Sequence, residues 1–293
     1  MNRTVDLAFW INERYSMKMR RDAGLPAPWT GDRIMATTRF CNVHREDDKV
    51  TKWLAENWRP RYSKVWHILL ARLINNVPTL ELLLPQMENL GAMKQVLLER
   101  RKKSTIFGSA YTVSTCGLSM DKVDYIFDCV IMPSQRKDID GFWNTVCEPG
   151  SLAQACEDLQ RLHGVSTFMA GQLIADLKNT RGHMLENAPD WWTWAAPGPG
   201  SLRGLSEYFR RPVTASGFTN ALTLCYNEVQ PLICNYVPRL HMQDFQNCMC
   251  EFSKYVRVKN GGHARNRYTP EAAGGGEGRG QGPRGAELLS HSG

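Results

Sequence analysis

One stretch constrains the fold more than any other: residues 150–178, GSLAQACEDLQRLHGVSTFMAGQLIADLK. Ser151 and Gln154 stand at capping-box spacing, and Leu152, Cys156, Leu159 and Leu162 then mark one helical face. A turn follows, Leu162-His163-Gly164-Val165-Ser166. After it, Phe168, Met169, Leu173, Ile174 and Leu177 define the buried side of a second helix. The pattern is helix–hairpin–helix. Its tight turn exposes backbone N–H groups at the start of the second helix, and those donors together with the helix dipole suit one DNA phosphate. Gly164, Val165, Ser166 and Thr167 are therefore the candidate DNA-binding residues. Such hairpins usually read Gly-Val-Gly, and here Ser166 replaces the second glycine. A plain helical hairpin is the alternative reading.

The rest of the folded part also reads as mainly helical. Apolar stripes predict helices at 5–19, 45–58, 65–76, 92–101, 119–130, 219–236 (bent at Pro231) and 241–258. Short extended pieces are expected at 34–40 and 106–112. No run of alternating strands and no internal repeat is present. The expectation is one helical domain over 1–262, carrying the hairpin at 151–178. A Gly/Arg-rich tail follows over 263–293, expected to be disordered from about Tyr268 because it offers almost nothing to bury.

Charge adds a direction. Lys and Arg total 36 against 29 acids, a net +7 with a pI near 9.0. This hints at a polyanionic partner. The tail sets Arg265, Arg267, Arg279 and Arg284 against Glu271, Glu277 and Glu287, so most of the excess lies in the folded part. The 9 cysteines include no CxxC pair, and Cys248 and Cys250 are too close for a structural zinc site or a four-cysteine iron–sulfur cluster. The first residues, MNRTVDLAFWINERY, carry charges where the apolar core of a secretory leader would lie. No apolar stretch is long enough to span a membrane. The expectation is a cytosolic protein with reduced thiols.

Three further clusters carry chemistry. Asp190 lies about one helix plus a loop beyond the hairpin, an offset similar to that of the catalytic aspartate in helix–hairpin–helix DNA glycosylases. The strand-cleaving ones carry a lysine just after the hairpin, where this chain reads Thr167-Phe168-Met169. Trp191, Trp192 and Trp194 follow Asp190; an exposed one suits stacking on an extruded base, a buried one the core. Then comes Pro197-Gly198-Pro199-Gly200-Ser201-Leu202-Arg203-Gly204. Gly198 and Gly200 permit close backbone approach, Ser201 suits a helix cap, and Arg203 offers a donor fork, so together they suit a phosphate. A Gly/Pro turn before a helix is the plainer reading. The second cluster holds Arg39, Asn42, Arg45 and Asp48 at a helix entrance, with Asn42, Arg45 and Asp48 on one face if the helix starts early. The third, CEFSKYVR, offers Glu251 and Lys254 to a site or to solvent.

In that order RFCNVHREDDKVTKWL, LHGVSTFMAGQLIADL, DWWTWAAPGPGSLRGL and CEFSKYVRV resemble a phage family. It is the amino acid:DNA transferases, also described as alpha-glutamyl/putrescinyl thymine pyrophosphorylases. The chain is similar to the helical domain of 5-hydroxymethyluracil DNA kinases, and no G-x-x-x-x-G-K-[ST] loop appears, so the kinase half is expected to be absent. The resemblance implies a helix–hairpin–helix DNA-glycosylase-like fold and a soluble, phage-encoded protein in the host cytoplasm. It also implies a reaction on double-stranded phage DNA. A separate kinase phosphorylates hydroxymethyluracil, and the transferase replaces the phosphate or pyrophosphate with an amino acid or polyamine. The product protects viral DNA from host nucleases.

That chemistry makes demands. Cations must stabilise the anionic leaving group. Arg203 with the 198–201 turn answers this, and so do Arg39 and Arg45. A carboxylate or histidine must deprotonate the incoming amine. Asp190 is the first choice and Asp48 the second. No metal or cofactor is demanded. The competing readings are a monofunctional DNA glycosylase and a non-catalytic DNA-binding module.

Overall fold

The computed structural model describes residues 2–58, 64–108, 113–139, 150–180 and 183–263. The tail reading for 264–293, and the 109–112 part of the expected extended piece at 106–112, lie outside the described residues. Helices dominate, and no extended strand occurs among the described residues. No helix there is long and apolar enough to cross a membrane.

In chain order the helices are α1 Arg3–Asp22, α2 Arg33–Thr37, α3 Lys49–Trp53, α4 Val65–Ile74, α5 Val77–Leu83 and α6 Leu90–Arg101. Next come α7 Lys122–Asp124, continued by a π-helical stretch Tyr125–Ile131 into α8 Met132–Ile139, then α9 Leu152–Leu159 and α10 Thr167–Leu177. The last three are α11 Pro199–Phe209, α12 Phe218–Val229 and α13 Met242–Lys259.

Two hydrophobic cores form. The first is built from residues between Val50 and Ala196 and is centred on α4, whose ten residues VWHILLARLI are all buried. A helix apolar on every side must be enclosed, and α5, α8, α10 and the π-helical stretch enclose it. The second core joins Leu7, Trp10 and Ile11 of α1 to Phe218, Leu222, Phe245 and Met249 of α12 and α13. The chain thus leaves the second core after Val43, builds the first, and returns at Ala195–Ala196. Residues 44–49 and 195–198 cross between the lobes.

Several sequence expectations need correction. The piece at 34–40 is not extended: Asp32 accepts from Met35 N and starts α2. The helix expected at 45–58 is broken at Asp48, which takes an extended conformation and caps α3 from outside. Asn42, Arg45 and Asp48 therefore do not share a helical face. The helix from 219 ends at Val229 rather than bending at Pro231; a 3₁₀ turn, Gln230–Leu232, closes it. Ser201 does not start α11. Pro199 does, and the Ser201 hydroxyl accepts from Gly198 N at 3.2 Å from inside the first turn.

The two helices and the turn of the hairpin form as read, but Phe168, expected on the buried side of the second helix, is 41% exposed, because it falls in the first turn of α10 at the edge of the core. Ser151 caps α9 through Gln154 N, Ser166 caps α10 through Met169 N, and Val165 N donates to Leu162 O at 3.2 Å. Gly164 has φ +78°, and a Cβ there would meet Tyr125 Oη at 2.9 Å, so this position excludes side chains twice over.

Candidate functional site between the lobes

The crossing segments make a narrow cleft of about 20 Å³, lined by Arg45, Phe168, Gly171, Gln172, Gly198 and Gln246, among others. Arg45 spans it. Its backbone N–H donates to Asp244 Oδ1 of α13 at 2.7 Å, and its Nη2 reaches Gln172 Oε1 of α10 at 2.5 Å. Gln243 donates to Gly171 O at 3.2 Å, while its own Oε1 is buried without a partner among the described residues. Gln246 donates to Ser201 Oγ at 3.1 Å and so ties α13 to the 198–201 turn.

Asp48 is not among the residues lining this cleft but follows Arg45 closely, its N–H donating to Arg45 O at 3.1 Å. Its Oδ1 accepts from Val50 N, Thr51 N and Thr51 Oγ1 at 3.0–3.2 Å and from Arg72 Nη1 at 3.3 Å. Its Oδ2 has no hydrogen-bond partner among the described residues. Burial would raise this carboxyl, but the charges of Arg72 and Arg45 and the Thr51 N–H outweigh burial and hold it below the ordinary range. Arg72 is itself locked from below. It grips Asp176 with two parallel hydrogen bonds and donates to Thr51 Oγ1. Asn42 is fully used in the scaffold: it accepts from Arg14 at 2.7 Å, donates to Asp47 O at 2.7 Å, and its carbonyl accepts from Asn247 at 3.1 Å.

Behind Arg45 lies a buried ionisable cluster that the sequence reading missed. Lys178 closes α10 and is 1% exposed; its Nζ donates to Trp191 O at 3.2 Å and sits 4.0 Å from that indole centroid. Burial pushes Lys178 down to about 8 against the pull of Asp244, Glu46 and Asp190. Burial likewise raises Asp244 to about 6 and drives His241 down to about 2, which keeps that imidazole neutral. A lone lysine at a helix end reads in sequence as a solvated residue. Its one signal was the tryptophan run thirteen positions later.

The remaining candidates fall into two other places. Arg203, Glu251 and Lys254 come together around Cys250 on the α11–α13 face, and Arg39 joins them through its backbone carbonyl. Lys254 Nζ pairs with Glu251 at 2.6 Å and donates to Arg39 O at 3.0 Å, and Glu251 accepts from Cys41 N at 3.0 Å. Burial pushes the Cys250 thiol up to about 11, with Glu251 adding to it and Lys254, Arg203 and Arg257 opposing. Arg203 is exposed and has no hydrogen-bond or ion-pair partner among the described residues. Gly200 does not open toward a ligand: a Cβ there would strike Cys250 Sγ at 2.2 Å, and one at Gly204 would meet Met249 O at 2.7 Å. These glycines let α11 lie close on α13.

Asp190 stands apart from the cleft. Its Oδ1 accepts from Leu152 N at 2.7 Å and its Oδ2 from Ala153 N at 3.0 Å and Ser151 Oγ at 3.4 Å. Both oxygens thus satisfy the first turn of α9. The hairpin turn, by contrast, adjoins the cleft. Gly164 and Ser166 are exposed at the tip, and α10 runs from Thr167 past Phe168 to Gln172, a rise of about 7.5 Å.

An exposed hairpin turn leading into a cleft of arginine and amides, with the Asp48 carboxylate near Arg45, marks a two-lobed, mainly helical domain. The chain belongs to the 5-hmdU DNA kinase helical-domain family, whose model matches residues 2–264. That membership ties it to the modification of hydroxymethyluracil-containing DNA. No curated protein and no solved structure matches it.

Proposed function

We propose that this chain is a DNA-modifying transferase. It replaces the phosphate or pyrophosphate on the 5-methylene of phosphorylated hydroxymethyluracil with an amino acid or polyamine. The carbon–oxygen bond to the leaving group breaks, the electron pair departs with the phosphate, a carbon–nitrogen bond forms, and the amine gives up a proton. The observation that carries the reading is the shared helix. α10 begins at the hairpin turn and presents Gln172 to Arg45 about 7.5 Å further on, roughly two nucleotide steps of B-form strand. DNA gripped at the turn brings a neighbouring base to the cleft.

Arg45 is assigned to the leaving phosphate, with Gln172 and Gln246 completing the donors. Asp48 receives the amine, because its Oδ2 is open and its lowered pKa keeps it anionic. Asp190, with both oxygens engaged at α9, passes to a structural role in this scheme. Arg39, Arg203 and Lys254 form an outer basic face that steers DNA. On this reading the protein acts on double-stranded phage DNA in the host cytoplasm, after a separate kinase.

The test is incubation with phosphomethyluracil DNA and candidate amines, followed by digestion to nucleosides and mass spectrometry. A new, heavier nucleoside is expected. Release of a free base makes the protein a glycosylase, and unchanged DNA makes it a binding module; either result overturns the proposal.

A further inference from the structure

Beyond Asp190 the chain swings outward and exposes Trp192, whose side is 46% accessible. The residue is nonetheless rigid. Met242 N–H donates to its carbonyl at 3.0 Å, Trp191 packs edge-on at 4.9 Å, and buried His241 lies 6.5 Å away. Fixed flat rings cost little to order on binding, because their freedom is already spent. Over the indole sits the guanidinium of Arg239, 4.8 Å from the ring centroid. Arg239 has no carboxylate partner among the described residues, and residues 230–240, QPLICNYVPRL, contain no acid. Tyr236, three residues before Arg239, is 54% exposed and stacks on Tyr15 at 6.4 Å.

A half-exposed indole with a guanidinium over one part of it, and no carboxylate on that guanidinium among the described residues, matches a nucleotide, with a base to pack against the remaining exposed indole and a phosphate to pair. The charge argues against an apolar protein partner, since such a docking face would leave Arg239 desolvated without a counterion. Position argues for DNA. Asp190 caps the start of α9, and the eight residues of α9 run about 12 Å to the hairpin end, three to four nucleotide steps of one strand.

We propose that Trp192 and Arg239 form a platform for one unpaired nucleotide of DNA, the base lying on the indole and its phosphate on the guanidinium. The inference rests on the DNA-binding part of the function proposed above and not on the transfer step. The platform holds either the reacting nucleotide's neighbour or its orphaned complement once the duplex opens. Both present the same chemistry.

The experiment is fluorescence anisotropy at low salt with two short duplexes, one fully paired and one carrying a single bulged thymine. The parent is expected to favour the bulged duplex. Trp192→Ala should lose about ten-fold or more on the bulged duplex and nothing on the paired one, while Trp192→Phe keeps most of the preference. Arg239→Ala should weaken the bulged complex and reduce its salt slope by about one counterion. Melting curves confirm that each variant is folded. Equal affinity of the parent for both duplexes overturns the platform, and so does equal loss on both with Trp192→Ala. Sedimentation that shifts with Trp192→Ala assigns the surface to a second copy and also overturns it. Binding without any transfer sinks the transferase and leaves the platform standing; no binding to either duplex sinks both.

Discussion

Replacing Arg72 by methionine probes the buried pair that supports the cleft. Arg72 and Asp176 are 1% and 0% exposed, and they come from α4 and α10, 104 residues apart in sequence. Methionine fills much of the arginine stem but leaves the Asp176 carboxylate in the core without its fork. Thr51 Oγ1 and Asp48 Oδ1 lose a donor as well. Breaking a buried ion pair from one side costs about 3–5 kcal/mol, because the surviving charge stays desolvated. At about 2–4 °C per kcal/mol for a chain of this size, the melting point should fall by about 6–20 °C. The second arm is Arg72→Met combined with Asp176→Leu. With both charges gone the desolvation term disappears, so the double variant should be more stable than the single one. Urea unfolding followed by circular dichroism at pH 7 measures all four members of the cycle. The reasoning fails if Arg72→Met costs under 1 kcal/mol, or if the double variant is as unstable as the two single losses added together.

The remaining expectations concern the site. Arg45→Lys keeps the charge but loses the span to Gln172, so single-turnover transfer should fall by about 10²–10³, the range for one transition-state donor. Asp48→Asn should lower transfer by about 10²–10⁴ with DNA binding unchanged. Asp190→Asn should instead cost about 1 kcal/mol of stability as a weakened cap and leave transfer near the parental rate; the reverse pattern would restore Asp190 to the reaction centre. For the buried cluster, Lys178 has a folded value of about 8 against 10.5 unfolded, so the unfolded chain binds more protons between those values. Stability should therefore rise from pH 8 to pH 10.5, by on the order of 3 kcal/mol relative to Lys178→Met. Paired urea melts at pH 8 and pH 10 give the difference, and equal pH slopes in the two chains would refute it.

Much of this architecture is legible in the sequence, and the limits have physical causes. The stripes of α1, α4, α6, α10 and α13 are visible because a buried helical face repeats every three to four residues whatever lies opposite. Partnership is not periodic. Nothing local in DDKV says that Asp48 will leave the helix to cap it. The Arg72–Asp176 pair had a signal, since a cation inside VWHILLARLI must find a counterion; only the partner's identity was hidden. Gly164 was readable because a turn demanded it, and Gly200 was misread because close helix packing and close ligand approach ask for the same missing Cβ. Asp190 was placed by analogy of spacing, and spacing along the chain does not reveal which N–H groups a carboxylate will meet.

The double crossing between the cores also governs how the molecule is made. α1 finds its main partners in α12 and α13, so its apolar face stays uncovered while nearly two hundred intervening residues emerge. At about 5–20 residues per second that wait lasts on the order of 10–40 s, far longer than a helical hairpin needs to close. Through that interval the inserted lobe can reach its own core, but Leu7, Trp10 and Ile11 have only the early members of theirs, such as Phe40 against Trp10 at 5.8 Å, and lack the α12 and α13 side chains. Co-expressed holdase chaperones, which shield such a face until the ribosome has nearly finished, should therefore raise the soluble yield more than slower cooling or lower salt.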